Sequence, residues 1–599
     1  MIRIAKKIAE KTASFLCEQY IVLFFTLTTS IKLIAFNTYI LKVTWDPFVY
    51  HYGLFLSAVS AVVIFLPIYF IKKRKNLAAI LLASFISILL LVDCVYFLYF
   101  SALPSVGLLG AVNEAANVGP AILGILRWWM VFFFVDVIII TILNKSLKRL
   151  FNSIKYKYDL AILKLKSKLL FTATVLVLAF LSLLPIGLNT MSDMIEKSFE
   201  AKSTSMHYGV LASHVFDIIR FIKQETTHLS TSDQEALKTW VTENKPDQSI
   251  SSLNGIAKGK NIIMIQVESL GAFVINQTVN NKEITPTLNS LSKSSEFFPN
   301  EQFIIGAGHT SDTDFVANTS YFPLDDSAIF VRFGKDSFDG LPTLLAANGY
   351  STTAYHGYSR DSWNRNIALA SLGYQKFYAS DNFSAGENIN MGLNDGTFFS
   401  ETADYIKGQT TPSFSYVITL TSHTPFDITT ETSKLGLNPN DYPSQVAGYL
   451  ENINYTDRML GNFFTKLKSE NLYDDSLIIV YGDHTPTLSN FTAGTITYDL
   501  STNQAKEAPL FIKLPNQTIG TTYKDKGTHL DIMPTILDLA GIKNNHLMFG
   551  QSLFADNTGL AACDNQLFTF VKAPTCQDAL AIEKSKSATI VRYDQFNNL

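Results

Sequence analysis

Residues 261–269 read NIIMIQVES. A run this short and this continuously apolar reads as a strand buried on both faces, and it stops at a carboxylate, Glu268. The same grammar recurs down the chain. YSTTAYH (350–356) ends on His356, and SFSYVITLT (413–421) runs into His423. SLIIVYG (476–482) is followed by Asp483 and His484, and APLFIKL (508–514) reads as a fifth strand. Helical stretches alternate with these runs: LPTLLAAN (341–348), a long one at about 444–470, and HLDIMPTILDLAG (529–541), which closes at Gly541. Near-continuous apolar strands interleaved with helices predict a mostly parallel α/β sheet flanked by helices. Such sheets bind ligands at the carboxyl ends of their strands. The polar residues that end these runs therefore converge on one edge.

Between the first two strands lies FIIGAGHTSDTDFVANTSY (303–321). Thr310 stands where a helix begins, and the bland reading is a helix cap. The sharper reading is a nucleophile, which needs activation because a threonine hydroxyl is inert at neutral pH. Glu268, Asp483 and His484, with Thr310, offer a mixed oxygen and nitrogen site suited to Mn²⁺, Mg²⁺ or Zn²⁺. A bound cation would lower the pKa of the Thr310 hydroxyl, and the helix N-terminus would favour negative charge beside it. Gly306 and Gly308 permit close backbone approach. A second cluster, HGYSRDSWNR (356–365), holds His356, Arg360, Trp363 and Arg365. Arginine suits bidentate phosphate binding, and a tryptophan gives a flat wall for a small headgroup. The alternative for this cluster is a solvated loop around a packed tryptophan.

The chain has 599 residues, more than one core accommodates. Its net charge of −3 hides a division. Residues 1–190 carry 19 Lys+Arg and 7 Asp+Glu, or +12, and 191–599 carry 29 and 44, or −15. A basic apolar part and an acidic polar part predict a membrane region and a domain across the bilayer from the basic loops, and the acidic domain argues against nucleic acid. Five apolar stretches have spanning length, near 15–36, 50–71, 77–100, 121–143 and 168–188. A cleavable signal peptide is disfavoured. Basic segments at the N-terminus, at KKRKN and at 144–168 fall on one side if the N-terminus is cytoplasmic, which puts everything after 188 outside. Glu18, Asp93, Arg127 and Asp136 sit in or near the spans, where pairing or snorkelling is the expected explanation. Cys17 and Cys94 lie in apolar stretches, whereas Cys563 and Cys576 can pair if the C-terminal end is extracellular.

Taken in order, VES, G-x-T-S-D, H-G-(x)5-W-N-R, S-H-x-P-F and Y-G-D-H on a five-span anchor resemble the lipoteichoic acid synthase family, a sulfatase-like branch of the alkaline phosphatase superfamily. SLGYQKFY (371–378) and HLDIMPTILDLAGI (529–542) add to the likeness, which is strongest over 261–542. The resemblance implies a cell-membrane enzyme with an extracytoplasmic catalytic domain that takes glycerophosphate from phosphatidylglycerol to a glycolipid or polymer acceptor. It implies Thr310 as catalytic nucleophile and metal ligand, Glu268, Asp483 and His484 as further ligands, and His356, Trp363, Arg365 and His423 as substrate-binding residues, with Mn²⁺ as the usual cation. His309, before the threonine, and Tyr358, two after His356, depart from the family pattern. The expected domains are 1–188 with the spans, a juxtamembrane helical linker 189–257, a sulfatase-like domain 258–545 and a C-terminal extension 546–599. Rival readings are a phosphoethanolamine transferase, which usually carries more disulfides, and a transferase of phosphoglycerol to glucans. An arylsulfatase would need a C/S-x-P-x-R signature at the nucleophile, and a scaffold would need a degenerate site.

Overall fold

A computed structural model describes residues 2–41, 47–71, 73–100, 103–106, 125–157, 172–173, 205, 208–226, 228–244, 250–524, 527–543, 545–555, 561–563, 567–569, 571 and 573–596. The chain divides into two compact units, Met1–Val106 with Ile122–Thr226, and a second made chiefly of Thr227–Leu599.

In the second unit the run at 262–267 is the middle strand of a seven-stranded sheet. The strands are β1 (Ile262–Val267), β2 (Glu296–Gln302), β3 (Ser351–His356), β4 (Lys376–Tyr378), β5 (Ser413–Ile418), β6 (Leu477–Gly482) and β7 (Glu507–Lys513). Their order is β2-β7-β6-β1-β5-β3-β4. Only β7 runs against the rest, pairing antiparallel with both β6 and β2. Sequence anticipates the parallel centre but not this reversal, because a buried strand looks alike in either direction. It also leaves β2 unseen: EFFPNEQ carries a proline and several polar residues, which an edge strand tolerates and a central one does not.

Alternation within β1 assigns its two faces. Ile262 and Met264 pack with Phe315 and Val316 of helix α6 (Thr310–Thr319), Ile536 of α8 (Ile532–Leu539) and Ile590 of α9 (Cys576–Arg592). Ile263, Ile265 and Val267 pack with Leu450, Ile453 and Leu460 of α7 (Val446–Ser469). Each such fully buried side chain contributes about 1.5–3 kcal/mol. Helices thus cover both faces, and the strand ends are left to build a site. In the same unit Leu237 and Val241, on Thr231–Asn244, join the first of these cores.

The first unit contains α1 (Ile2–Ala35), α2 (Pro47–Phe65), α3 (Lys75–Phe100), α4 (Val135–Lys157) and α5 (Val210–Thr226). Among the described residues three helices are long and apolar enough to cross a membrane: Phe15–Ile40, Lys75–Leu98 and Trp128–Ile154. Three of the five expected spans are thus met by a helix of that length and apolarity among the described residues. The stretch expected at 50–71 is helical from Pro47 to Phe70: α2 runs to Phe65 and a 3₁₀ segment, Leu66–Phe70, continues it. Pro67 stands in the first turn of that segment, where its missing backbone donor is tolerated. The expected fourth span begins later, at Trp128, and continues into the basic segment. The stretch 168–188 lies outside the described residues except for Thr172 and Ala173. Two of the charges noted in the spans are paired: Asp136 with Lys32 at 3.0 Å, and Asp93 with His214 of α5 at 2.9 Å. Asp217 of α5 accepts from Ser105 and the Val106 amide.

Candidate metal centre and nucleophile

β1 and β6 are parallel, with Val267 beside Gly482, so the residues that follow each strand emerge side by side. Glu268 and Asp483 meet there, and the chain folds to hold them. The Ser269 amide donates to Asp483 Oδ1 at 2.7 Å, with Ser269 in the left-handed region (φ 55°). The His484 amide donates to the same oxygen at 2.7 Å. Ser269 Oγ donates to Glu268 Oε1 at 2.8 Å. Glu268, Asp483 and His484 each offer a ligand atom, all within 4.8 Å of one another.

Thr310 lies at the first position of α6, and its hydroxyl does not cap the helix. Oγ1 is 3.3 Å from His484 Nε2 and 3.5 Å from Glu268 Oε2. The helix-cap reading is thereby corrected. A different residue of the same motif secures the turn: Asp312 Oδ2 accepts from the Gly306 and Gly308 amides, both at 2.8 Å. His309 is forced to φ 45°, ψ −116°, a conformation better suited to glycine. The glycines are needed for space. A Cβ on Gly306 would meet the Leu324 carbonyl oxygen at 2.3 Å, and one on Gly308 would meet Asp312 Oδ1 at 2.4 Å. Gly306→Ala is expected to cost about 1–3 kcal/mol of stability by overpacking. By shifting Thr310 it should lower turnover by about 10²-fold. Thermal melting and a rate measurement on one preparation check both; unchanged turnover would show that the turn does not govern the reaction through Thr310.

The donor set fits a divalent cation. His484 Nδ1 lies 3.0 Å from the Thr485 carbonyl oxygen, which only accepts, so Nδ1 carries the proton and Nε2 presents a lone pair to the cluster. Asp483 Oδ2 is buried without a hydrogen-bond donor. Burial and the facing Glu268 push the Asp483 carboxyl well above the usual carboxylate range. Two buried carboxyls this close ionise together only when a positive charge joins them. Hard oxygens with one imidazole suit Mn²⁺, Mg²⁺ or Zn²⁺, and the donor atoms do not choose between these.

The second cluster is brought together in part. His356 ends β3, with Nδ1 3.1 Å from the Ile418 carbonyl oxygen and Nε2 3.4 Å from Arg365 Nη1. Burial and the neighbouring guanidinium hold its imidazole well below the usual histidine range, so it stays neutral. Arg365 is buried at the start of the short helix Arg365–Ser371. His423 donates its Nδ1 proton to the Thr424 carbonyl oxygen at 2.7 Å, leaving Nε2 as acceptor. Its charge acts on both Glu268 and His356. Trp363 sits in the turn before Arg365 at φ 51°, followed by Asn364 at 57°, two strained residues in a row. Arg360 belongs elsewhere: it binds Asp381 at 2.8 Å and the Phe377 carbonyl. For Arg360 the solvated-loop reading holds. Sequence reasoning overlooked Asp312, Asp314 and Gln266. A signal existed for Gln266, the lone polar residue inside the apolar run of β1.

Two family models match the chain: one described as Sulfatase over residues 260–542, and one described as Lipoteichoic acid synthase N-terminal domain over 1–229. A lipoteichoic acid synthase of Staphylococcus saprophyticus subsp. saprophyticus is 31% identical over 519 residues, covering 84% of this chain and 79% of that protein. One from Staphylococcus aureus (strain USA300) is 30% identical over 524 residues, with the same coverage of 84% and 79%. Among solved structures, the lipooligosaccharide phosphoethanolamine transferase A of Neisseria meningitidis shares the fold over 88% of this chain and 96% of its own, with a TM-score of 0.50 at 13% identity. The lipoteichoic acid synthase LtaP of Listeria monocytogenes matches 61% of this chain and 98% of its own, with a TM-score of 0.49 at 23% identity.

Proposed function

This chain belongs to the lipoteichoic acid synthase family, and we propose that it transfers glycerophosphate from phosphatidylglycerol to a membrane glycolipid or polyglycerolphosphate acceptor through a phosphothreonine on Thr310. The observation that carries the reading is the Thr310 hydroxyl, which heads a helix 3.3 Å from His484 Nε2 and 3.5 Å from Glu268 Oε2 instead of capping its own backbone.

In this mechanism Glu268, Asp483, His484 and Thr310 would hold a divalent cation, Mn²⁺ foremost, which would supply positive charge to acidify the threonine hydroxyl. Thr310 Oγ1 attacks the phosphorus of the donor. The bond from phosphorus to the diacylglycerol oxygen breaks, and His423 Nε2 relays the threonine proton to that oxygen. Diacylglycerol leaves. An acceptor hydroxyl then attacks the phosphothreonine, the bond from phosphorus to Thr310 breaks, and His423 passes the acceptor proton to the threonine oxygen. Arg365 holds the phosphoryl oxygens through charge-assisted hydrogen bonds, and neutral His356 and Trp363 line the glycerol. Headgroup-labelled phosphatidylglycerol in nanodiscs tests this reading. Diacylglycerol release from phosphatidylglycerol and not from phosphatidylethanolamine is the expected result. Release only from phosphatidylethanolamine would move the chain to the rival transferase class.

The same proposal places residues 1–188 in the membrane as five spans with a cytoplasmic N-terminus, joined by 189–257 to a catalytic domain over 258–545 and its extension to 599. The basic segments support that orientation. So does Cys576, which is disulfide-bonded, a state favoured outside the cytoplasm. An impermeant thiol reagent applied to intact cells should miss a cysteine placed at Lys157 and label one placed at Asn438. The opposite pattern would reverse the topology.

A further inference from the structure

Among the buried acids that the mechanism does not use, Asp314 lies against Arg365. Asp314 lies one turn beyond Thr310 on α6 and has no exposed surface. Its Oδ2 accepts from Arg365 Nε at 2.8 Å. Its Oδ1 accepts from Gln266 Nε2 at 2.9 Å and lies 2.8 Å from the Tyr416 hydroxyl. The Tyr416 hydroxyl also lies 2.6 Å from Gln266 Oε1, and the Tyr481 hydroxyl donates to that same oxygen at 2.9 Å. Gln266 itself stands two residues before Glu268 on β1. One network therefore joins the metal-ligand strand, the nucleophile helix and the guanidinium.

We propose that Asp314 is the positioning residue that sets Arg365 in the phosphoryl site. The inference rests on the reading of Arg365 as a phosphate-holding group. A guanidinium 1% exposed needs a counter-charge, and Asp314 supplies it at one corner, Nε. Clamping Nε fixes the plane of the fork, so Arg365 meets phosphoryl oxygens in one orientation. Because Thr310 and Asp314 share one rigid helix, the distance from the attacking oxygen to the guanidinium is set within the fold and is not left to a mobile side chain. Asp314 touches no substrate in this account; it acts through Arg365.

The test is a double-mutant cycle on the full-length, Mn²⁺-loaded protein, with glycerol phosphate binding followed by calorimetry and turnover followed in parallel. Arg365→Ala should weaken binding by about 10- to 100-fold, the worth of charge-assisted hydrogen bonds. Asp314→Asn should weaken it by about tenfold alone and by little in the Arg365→Ala background, because a residue acting through another shows non-additive loss. It should also lower kcat beyond its effect on KM. Full additivity, or unchanged binding in Asp314→Asn beside a weakened Arg365→Ala, overturns the positioning role and leaves the function reading intact. No effect of Arg365→Ala overturns both. Should Asp314→Asn not fold, Asp314→Glu carries the test: it keeps the charge and should bind within about threefold of the parent, and a loss as large as that of Arg365→Ala in a folded protein refutes the role.

Discussion

Thr310→Ala is expected to reduce diacylglycerol release by about 10⁴-fold or more, the scale seen when a nucleophile is removed from a catalytic set. The protein should otherwise remain intact. Thr310 Oγ1 makes no bond to its own helix, and His309 at the cap position contributes none from its side chain. The Asp312 staple on Gly306 and Gly308 holds the turn without it. The stability change should stay within about 1 kcal/mol, the net worth of one hydrogen bond. Turnover near the parental rate in a folded Thr310→Ala protein would remove Thr310 from the mechanism.

Chelation should have the second largest effect. Removing the cation leaves Glu268 and Asp483 facing each other in a buried site, and one of them must take a proton. Turnover should fall to background and return with Mn²⁺. Stability should drop by about 4 kcal/mol if the cation was present at a thousand times its dissociation constant. The pH dependence has a definite sign. Without a cation the folded Asp483 carboxyl is held well above its unfolded value, so its contribution to stability is complete below about pH 4 and is lost as pH rises through the folded value. Chelated protein should therefore lose stability toward neutral pH, and loaded protein should not lose it over that interval. Melting curves of both forms across pH check this. Parallel curves would mean that no cation joins the two carboxyls.

Much of this site is written at the strand ends. Buried parallel strands announce themselves as apolar runs, so Glu268, His356, His423, Asp483 and His484 stand out as the polar residues that stop them. Thr310 was ambiguous because threonine, serine and aspartate also cap helices, and only the spatial neighbours Glu268 and His484 separate the two roles. Arg360 and Arg365 could not be told apart by type; Asp381 takes one and Asp314 the other. Asp314, Gln266 and Tyr416 were illegible as a set, because three different elements carry them and nothing in the local pattern links them. The direction of β7 and the edge strand β2 were missed because pairing partners far apart in sequence decide both.

The most direct test of the phosphothreonine is mass spectrometry of the peptide containing residues 303–321. Full-length Mn²⁺-loaded protein would be mixed with phosphatidylglycerol in nanodiscs without acceptor and quenched in acid. The account predicts one glycerophosphoryl ester on Thr310, formed together with an equal amount of diacylglycerol. Diacylglycerol release with an unmodified Thr310, or an ester on another residue, would contradict it.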